Sequence, residues 1–222
     1  AYRFSEQHPE DHAYLAIDNY TQDPDQVSDV VRTISSLSGV ISRKASQHNA
    51  INHYVNKHRH VPLWVLVNFL TFGEFNYFYK ILNQNVKILI AKDFSISRKR
   101  DYDKVFMPIT PETIEAVNHI VNHFRNAVAH GEITFSKRIH KTPNLQPIKS
   151  PLNIKKPVLQ SQAGVFELIL ALKLVIPKKS FKSLSRNLKN LISDYQNSFH
   201  SISFDTILSD MHFPKNYNDY LE

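Results

Sequence analysis

Glycine is nearly missing from this chain. Four glycines stand among 222 residues, where average usage of roughly 7 per cent would supply about fifteen. Hairpin turns and phosphate-cradling loops draw on glycine because it takes positive φ without a steric cost. Turn-rich β architectures and glycine-lined nucleotide sites are therefore disfavoured, and an all-α fold is expected. The length suits one domain with one sizeable core, so residues 1–222 are expected to form a single domain.

Charge narrows the partners. Lys and Arg number 27 against 20 Asp and Glu, a formal net charge of +7 with a pI near 9.4, which favours polyanions, nucleic acid first and an anionic membrane second. The absence of cysteine excludes disulfides, thiolate metal sites and cysteine nucleophiles, and fits a reducing cytoplasm. The most apolar stretches, Val61 to Leu70 and Val165 to Ile176, fall short of the roughly 20 residues a bilayer span needs and carry Asn68, Glu167 and Lys173. They read as core helices, and no membrane partner is expected. The chain opens on Ala1 without a basic-then-apolar leader, which predicts a cytoplasmic protein with further N-terminal sequence in front.

Helical spacing of Val27, Val30, Val31, Ile34 and Leu37 predicts a helix within 25–56, bent or divided at Gly39. Val61 to Leu82, with Pro62 at the first helical position, predicts a central buried helix carrying Gly73. Ser95 to Lys104 reads as a charged connector between helices. Thr110 and Pro111 open the next helix and Gly131 stops it after His130. From Ile133 to Phe166 there is no Asp or Glu, while Lys137, Arg138, Lys141, Lys149, Lys155 and Lys156 add +6. Four prolines there predict an extended basic arm over about 136–160. Helices at 162–176 and 180–199 and a short one at 204–211 complete the pattern.

The helix ending at His130 carries the chemistry. At about 100° per residue, Ile114, Val117, Ile120, Val121, Phe124, Ala127 and Val128 share the core-facing arc. From Asn118 onward the opposite arc holds Asn118, His119, Asn122, His123, Arg125, Asn126 and His130 and no carboxylate. A solvated face ordinarily mixes Glu with Lys; this donor-rich set suits phosphate oxygens. Metal-free RNA cleavage needs a base for the 2′-OH, an acid for the leaving oxygen and a cation for the phosphorane. One copy supplies one imidazole in place, so a dimer would supply both proton-transfer groups. A His before a helix-ending Gly is also favoured by the helix dipole alone. No metal and no cofactor is expected: His119 and His123 have the i, i+4 spacing of zinc ligands, but Ile120 stands where H-E-x-x-H has Glu.

Arg125-Asn126-Ala127-Val128-Ala129-His130 resembles the R-x4-H signature of the HEPN superfamily of helical ribonucleases. Pro62-Leu63-Trp64-Val65 with Leu70-Thr71-Phe72-Gly73 resembles the P-x-W...SFG segment of the Abi-like abortive-infection proteins of the D/F type, which belong to that superfamily. Met211-His212-Phe213-Pro214-Lys215-Asn216-Tyr217 is similar to that family's closing M-G-F-P-x-N-W. In the family pattern an acidic residue often stands where Asn68 is, and Gly and Trp stand where His212 and Tyr217 are. The N-terminal helical region is only loosely matched before Asp25.

The resemblance implies a HEPN-like helical bundle and a homodimer whose paired motifs form one cleft. It also implies metal-independent endonuclease action on RNA in bacterial phage defence, with a small noncoding RNA as a further partner. By that resemblance His130 is the general base or acid, Arg125 the phosphate clamp and Asn126 the residue that positions them. Asn122, His123, Lys137, Arg138, Lys141, Lys155 and Lys156 are the candidate RNA contacts. Two other readings stay open: a non-catalytic RNA-binding module, and an interaction protein held by an acidic antitoxin.

Overall fold

The computed structural model describes residues 1–103, 107–139, 144–154 and 162–221. They contain eleven α-helices, five short 3-10 turns and two isolated bridges but no strand among the described residues, so the chain is all-α. They divide into two compact units, Ala1–Ile90 and Ala91–Glu222.

The first unit holds α1 (Tyr2–Gln7), α2 (Val27–Ala45), α3 (Ala50–His58), α4 (Leu63–Leu66) and α5 (Phe72–Ile81). α2 packs on α3 and α5 and buries Val30, Thr33, Leu37 and Val40, the spacing of one helical stripe. Each apolar member of that stripe contributes about 2 kcal/mol by leaving water. Gly39 does not divide the predicted helix but lies within α2. The division falls at Ser46 to Asn49, where Asn49 Oδ1 accepts from Asn52 N at 3.1 Å and caps α3. Asx capping, rather than glycine, opens the second helix.

The expected central buried helix over 61–82 is corrected. Pro62 is the N-cap of α4 and not its first helical residue, and the chain turns extended at Leu70 and Thr71 before α5 begins. The cause is a capping box: Thr71 Oγ1 accepts from Glu74 N at 3.2 Å while Glu74 Oε2 accepts from Thr71 N at 2.8 Å. Leu63, Val65 and Leu66 are buried, whereas Trp64 is 60% exposed and Tyr77 56%. Asn68 Nδ2 donates to Trp64 O and Val65 O, a role that an ionised carboxylate could not fill. Thr71→Ala should cost about 1 kcal/mol, measurable as a lower urea midpoint with unchanged slope.

Two tyrosines tie the N-terminal segment to this turn. Tyr14 O–H donates to Val61 O and Tyr20 O–H donates to Tyr14 O, each at 2.6 Å. Burial pushes the Tyr14 phenol up to about 12 and raises that of Tyr20 as well, so both remain donors at neutral pH.

α6 (Gln84–Tyr102) crosses from one unit into the next. The predicted connector from Ser95 is its last part, because no Gly or Pro interrupts 84–104. Arg98 is buried and donates to Lys173 O at 3.1 Å. The second unit continues with α7 (Pro111–Ala129), α8 (Gln146–Leu152), α9 (Val165–Val175), α10 (Lys178–Tyr195) and α11 (Phe204–Asp210). α9 packs on α7, α8 and α10 and buries Phe166, Glu167, Ile169, Leu170, Ala171 and Leu174, which makes it the centre of that core. The closing segment packs on its start. Phe166 lies 5.2 Å from the Phe213 ring and 5.8 Å from that of Tyr220, and Phe166 N donates to Met211 O at 3.1 Å.

The extended basic arm is corrected where it is described. Residues 146–152 form α8, and Leu145, Ile148, Pro151 and Ile154 are buried. Pro147 fits the first turn. Pro151 has no N–H for the carbonyl of Pro147 four residues earlier, and the Thr113 hydroxyl on α7 donates to that carbonyl at 2.8 Å instead. The prolines shorten this helix without abolishing it. No helix among the described residues is long and apolar enough to cross a membrane.

Candidate functional site

α7 begins as the sequence predicts. Thr110 and Thr113 exchange side-chain-to-backbone hydrogen bonds at 3.2 and 3.3 Å, and Pro111 occupies the first turn. Thr113, Ile114, Ala116, Val117, Ile120, Phe124 and Ala127 face the core, so the opposite arc is turned outward. Val121 is half-buried. Val128 departs from the predicted arc: it lies in the last turn, where cover ends, and is 68% exposed.

The C-terminal end is a Schellman turn. Gly131 has φ 67°; its N–H donates to Val128 O at 3.2 Å and that of Glu132 donates to Ala127 O at 2.9 Å. His130 is the capping residue and its N–H donates to Asn126 O at 3.0 Å. A β-carbon on Gly131 would meet nothing within 4 Å, so only backbone conformation demands glycine here. Gly131→Ala should cost about 1 kcal/mol, with Gly131→Asn milder, read as shifts in thermal midpoint.

Arg125 and His130 are exposed and Asn126 is half-buried. Arg125 Nη1 donates to Asn126 Oδ1 at 2.9 Å, which holds the guanidinium against the residue one turn before His130. Asn122, Asn126 and His130 follow at i, i+4 steps and form one stripe. The Asn122 Oδ1 is buried and accepts no hydrogen bond. His123 is exposed, with its ring 4.6 Å from that of His119. Among the described residues no group of three or more His, Asp or Glu converges in a metal-holding arrangement.

The basic residues beyond the turn behave differently. Lys137 Nζ meets Glu132 Oε2 at 2.6 Å; that ammonium holds the Glu132 carboxyl below its ordinary value, and His130 adds a smaller pull. Arg138 donates to the carbonyls of Asp210 and Lys137. Both cations are thus engaged within the chain. Lys141, Lys155 and Lys156 lie outside the described residues. Glu132 is the neighbour that sequence spacing did not reveal, because its pairing with a lysine five positions on belongs to a loop and not to a helical i, i+4 pattern.

The site is therefore one exposed helix end: a guanidinium locked to an amide, an imidazole at the cap, and a flanking Glu–Lys pair. Exposed Val128, Ile133 at 72% and Phe135 at 46% lie beside it in sequence. A family model described as Abi-like protein matches residues 1–136, a span that includes Pro62–Gly73 and Arg125–His130 and stops before Met211–Tyr217. No curated protein and no solved structure matches the chain.

Proposed function

The chain belongs to the Abi-like protein family, and from that premise we propose that it is a HEPN-type endoribonuclease of the D/F group, acting in bacterial phage defence. The observation that carries this reading is the outward-facing helix end with Arg125 hydrogen-bonded to Asn126 and His130 at the cap. An imidazole is the side chain suited to accept or deliver a proton near neutral pH. A guanidinium stabilises the charge that gathers on the phosphorane oxygens.

In the proposed reaction one His130 removes the proton from a ribose 2′-OH. The 2′-oxygen attacks the adjacent phosphorus, and the bond to the 5′-oxygen breaks. A second imidazole protonates that leaving oxygen, giving a 2′,3′-cyclic phosphate and a 5′-hydroxyl end. The second His130 comes from another copy of the chain. Exposed Val128, Ile133 and Phe135 favour that pairing, because apolar side chains around a polar site suit burial between two copies.

The test is incubation of the purified protein with RNA in excess EDTA. The expected products carry cyclic phosphate ends, and sedimentation at micromolar concentration should give a dimer. A monomer that cleaves at full rate would overturn the composite cleft. Retained, salt-dependent RNA binding with no cleavage would favour the binding-module reading. RNA co-purifying as one defined species would identify the small noncoding partner.

A further inference from the structure

A second region has the composition of a nucleic-acid surface and takes no part in the helix end above. From Val30 to Gly73 there is no Asp or Glu, while Arg32, Arg43, Lys44, Lys57 and Arg59 supply positive charge and His48, His53, His58 and His60 supply imidazoles. Within it, α3 ends at Arg59, whose φ of 63° reverses the chain. The Tyr14 hydroxyl then fixes Val61, and Trp64 follows on α4.

This turn gathers rings on the surface. Trp64 stands edge-on to Tyr54 with centroids 5.9 Å apart, and Tyr54 lies 5.2 Å from His58 at 37°. His53 and His60 continue the row at 5.6 and 6.2 Å from His58. Since Leu63, Val65 and Leu66 already fill the core side of α4, the exposure of Trp64 does not serve packing. Two cations, Lys57 and Arg59, are exposed in the same turn. The acidic neighbours are Glu10 and Asp11, which line a cavity of about 180 Å³ together with His8, His60 and Trp64. Asp11 faces His60 at 3.4 Å. His8 Nε2 is buried there with no hydrogen-bond partner.

We infer that the Tyr54, His58 and Trp64 surface is a stacking site for the unpaired bases of a single-stranded nucleic acid, with Lys57 and Arg59 on its phosphates. Flat rings beside fixed cations, Trp64 and His58 exposed and Tyr54 half-buried, match unpaired bases, whose π-faces are available, and not a duplex, whose bases are already stacked. Charge complementarity selects a polyanion from the possible occupants of an aromatic surface. The inference does not rest on cleavage at His130.

Trp64 is the only tryptophan in the chain, so its emission reports the site directly. The His130→Ala protein, used so that no RNA is consumed, is titrated with a 12-nucleotide oligouridylate, the matching oligothymidylate and a duplex of equal length. Saturable quenching by the single strands and little by the duplex is expected; the ratio between uridylate and thymidylate shows whether the sugar is read. In anisotropy with labelled oligouridylate, Trp64→Leu should bind about tenfold more weakly, and Lys57→Gln should lower the salt slope by about 0.7. Circular dichroism melts of both variants check that they are folded. Oligonucleotide binding with unchanged Trp64 emission, or equal affinity in a folded Trp64→Leu protein, overturns the site. Quenching by polyglutamate but not by oligonucleotide would assign the surface to an acidic protein instead. Failure of cleavage with quenching intact would reject the nuclease reading and leave this one standing.

Discussion

His130→Ala should lower the single-turnover rate of RNA cleavage by roughly 10²- to 10⁴-fold, the usual contribution of a positioned general acid or base, while the thermal midpoint barely moves. The side chain is exposed, and the helix end is closed by backbone hydrogen bonds from His130, Gly131 and Glu132 that alanine would keep. Arg125→Ala should cost roughly 10²- to 10³-fold, as expected for losing one charge-stabilising donor. Lysine should rescue little, since a point charge cannot reproduce the fork that both holds Asn126 and meets a phosphate. The double variant should be little worse than the worse single one, because the two groups act on the same step. Unchanged cleavage in either single variant would remove the helix end from the chemistry.

The largest stability effect is expected in the core of the second unit. Glu167 is fully buried, accepts from Gly164 N at 2.8 Å and stands 3.0 Å from His212 Nδ1. Glu167→Ala would strand the Gly164 N–H and leave a buried imidazole without its carboxylate, so a loss of about 3 to 5 kcal/mol is expected. For a chain of this size that corresponds to a fall of roughly 10 °C in thermal midpoint. Glu167→Gln keeps an acceptor for Gly164 and should recover part of the loss. A melt within about 2 °C of the parent for Glu167→Ala would show that the pair contributes no net stability.

Much of this was legible in the residues. Helical periodicity, the Thr110-Pro111 start and the Gly131 stop gave α7 nearly to the residue, because capping chemistry is local. The misjudged elements depended on longer relations. The run from Val61 to Leu82 looks like one buried helix until the reciprocal bonds of Thr71 and Glu74 are seen to start a new one. The excursion after Gly131 looks extended until Thr113, 34 positions earlier than Pro147, supplies a donor for α8. At the proposed site, the motif points to Arg125, Asn126 and His130, which lie together at the end of α7. The engagement of Lys137 by Glu132 and of Arg138 by carbonyls could not be read from charge alone.

The close approach at Gly164 has an evolutionary side. A β-carbon there would lie 3.0 Å from His212 Nδ1, and His212 itself holds φ 67°, a conformation that glycine adopts more readily. Positions 164, 167 and 212 should therefore change together among relatives. A chain with glycine at 212 gains backbone ease and room for a side chain at 164, but loses the imidazole that faces the buried carboxylate, so its residue at 167 should be neutral or find a different donor. Such covariation would be visible in an alignment even where each position alone looks variable.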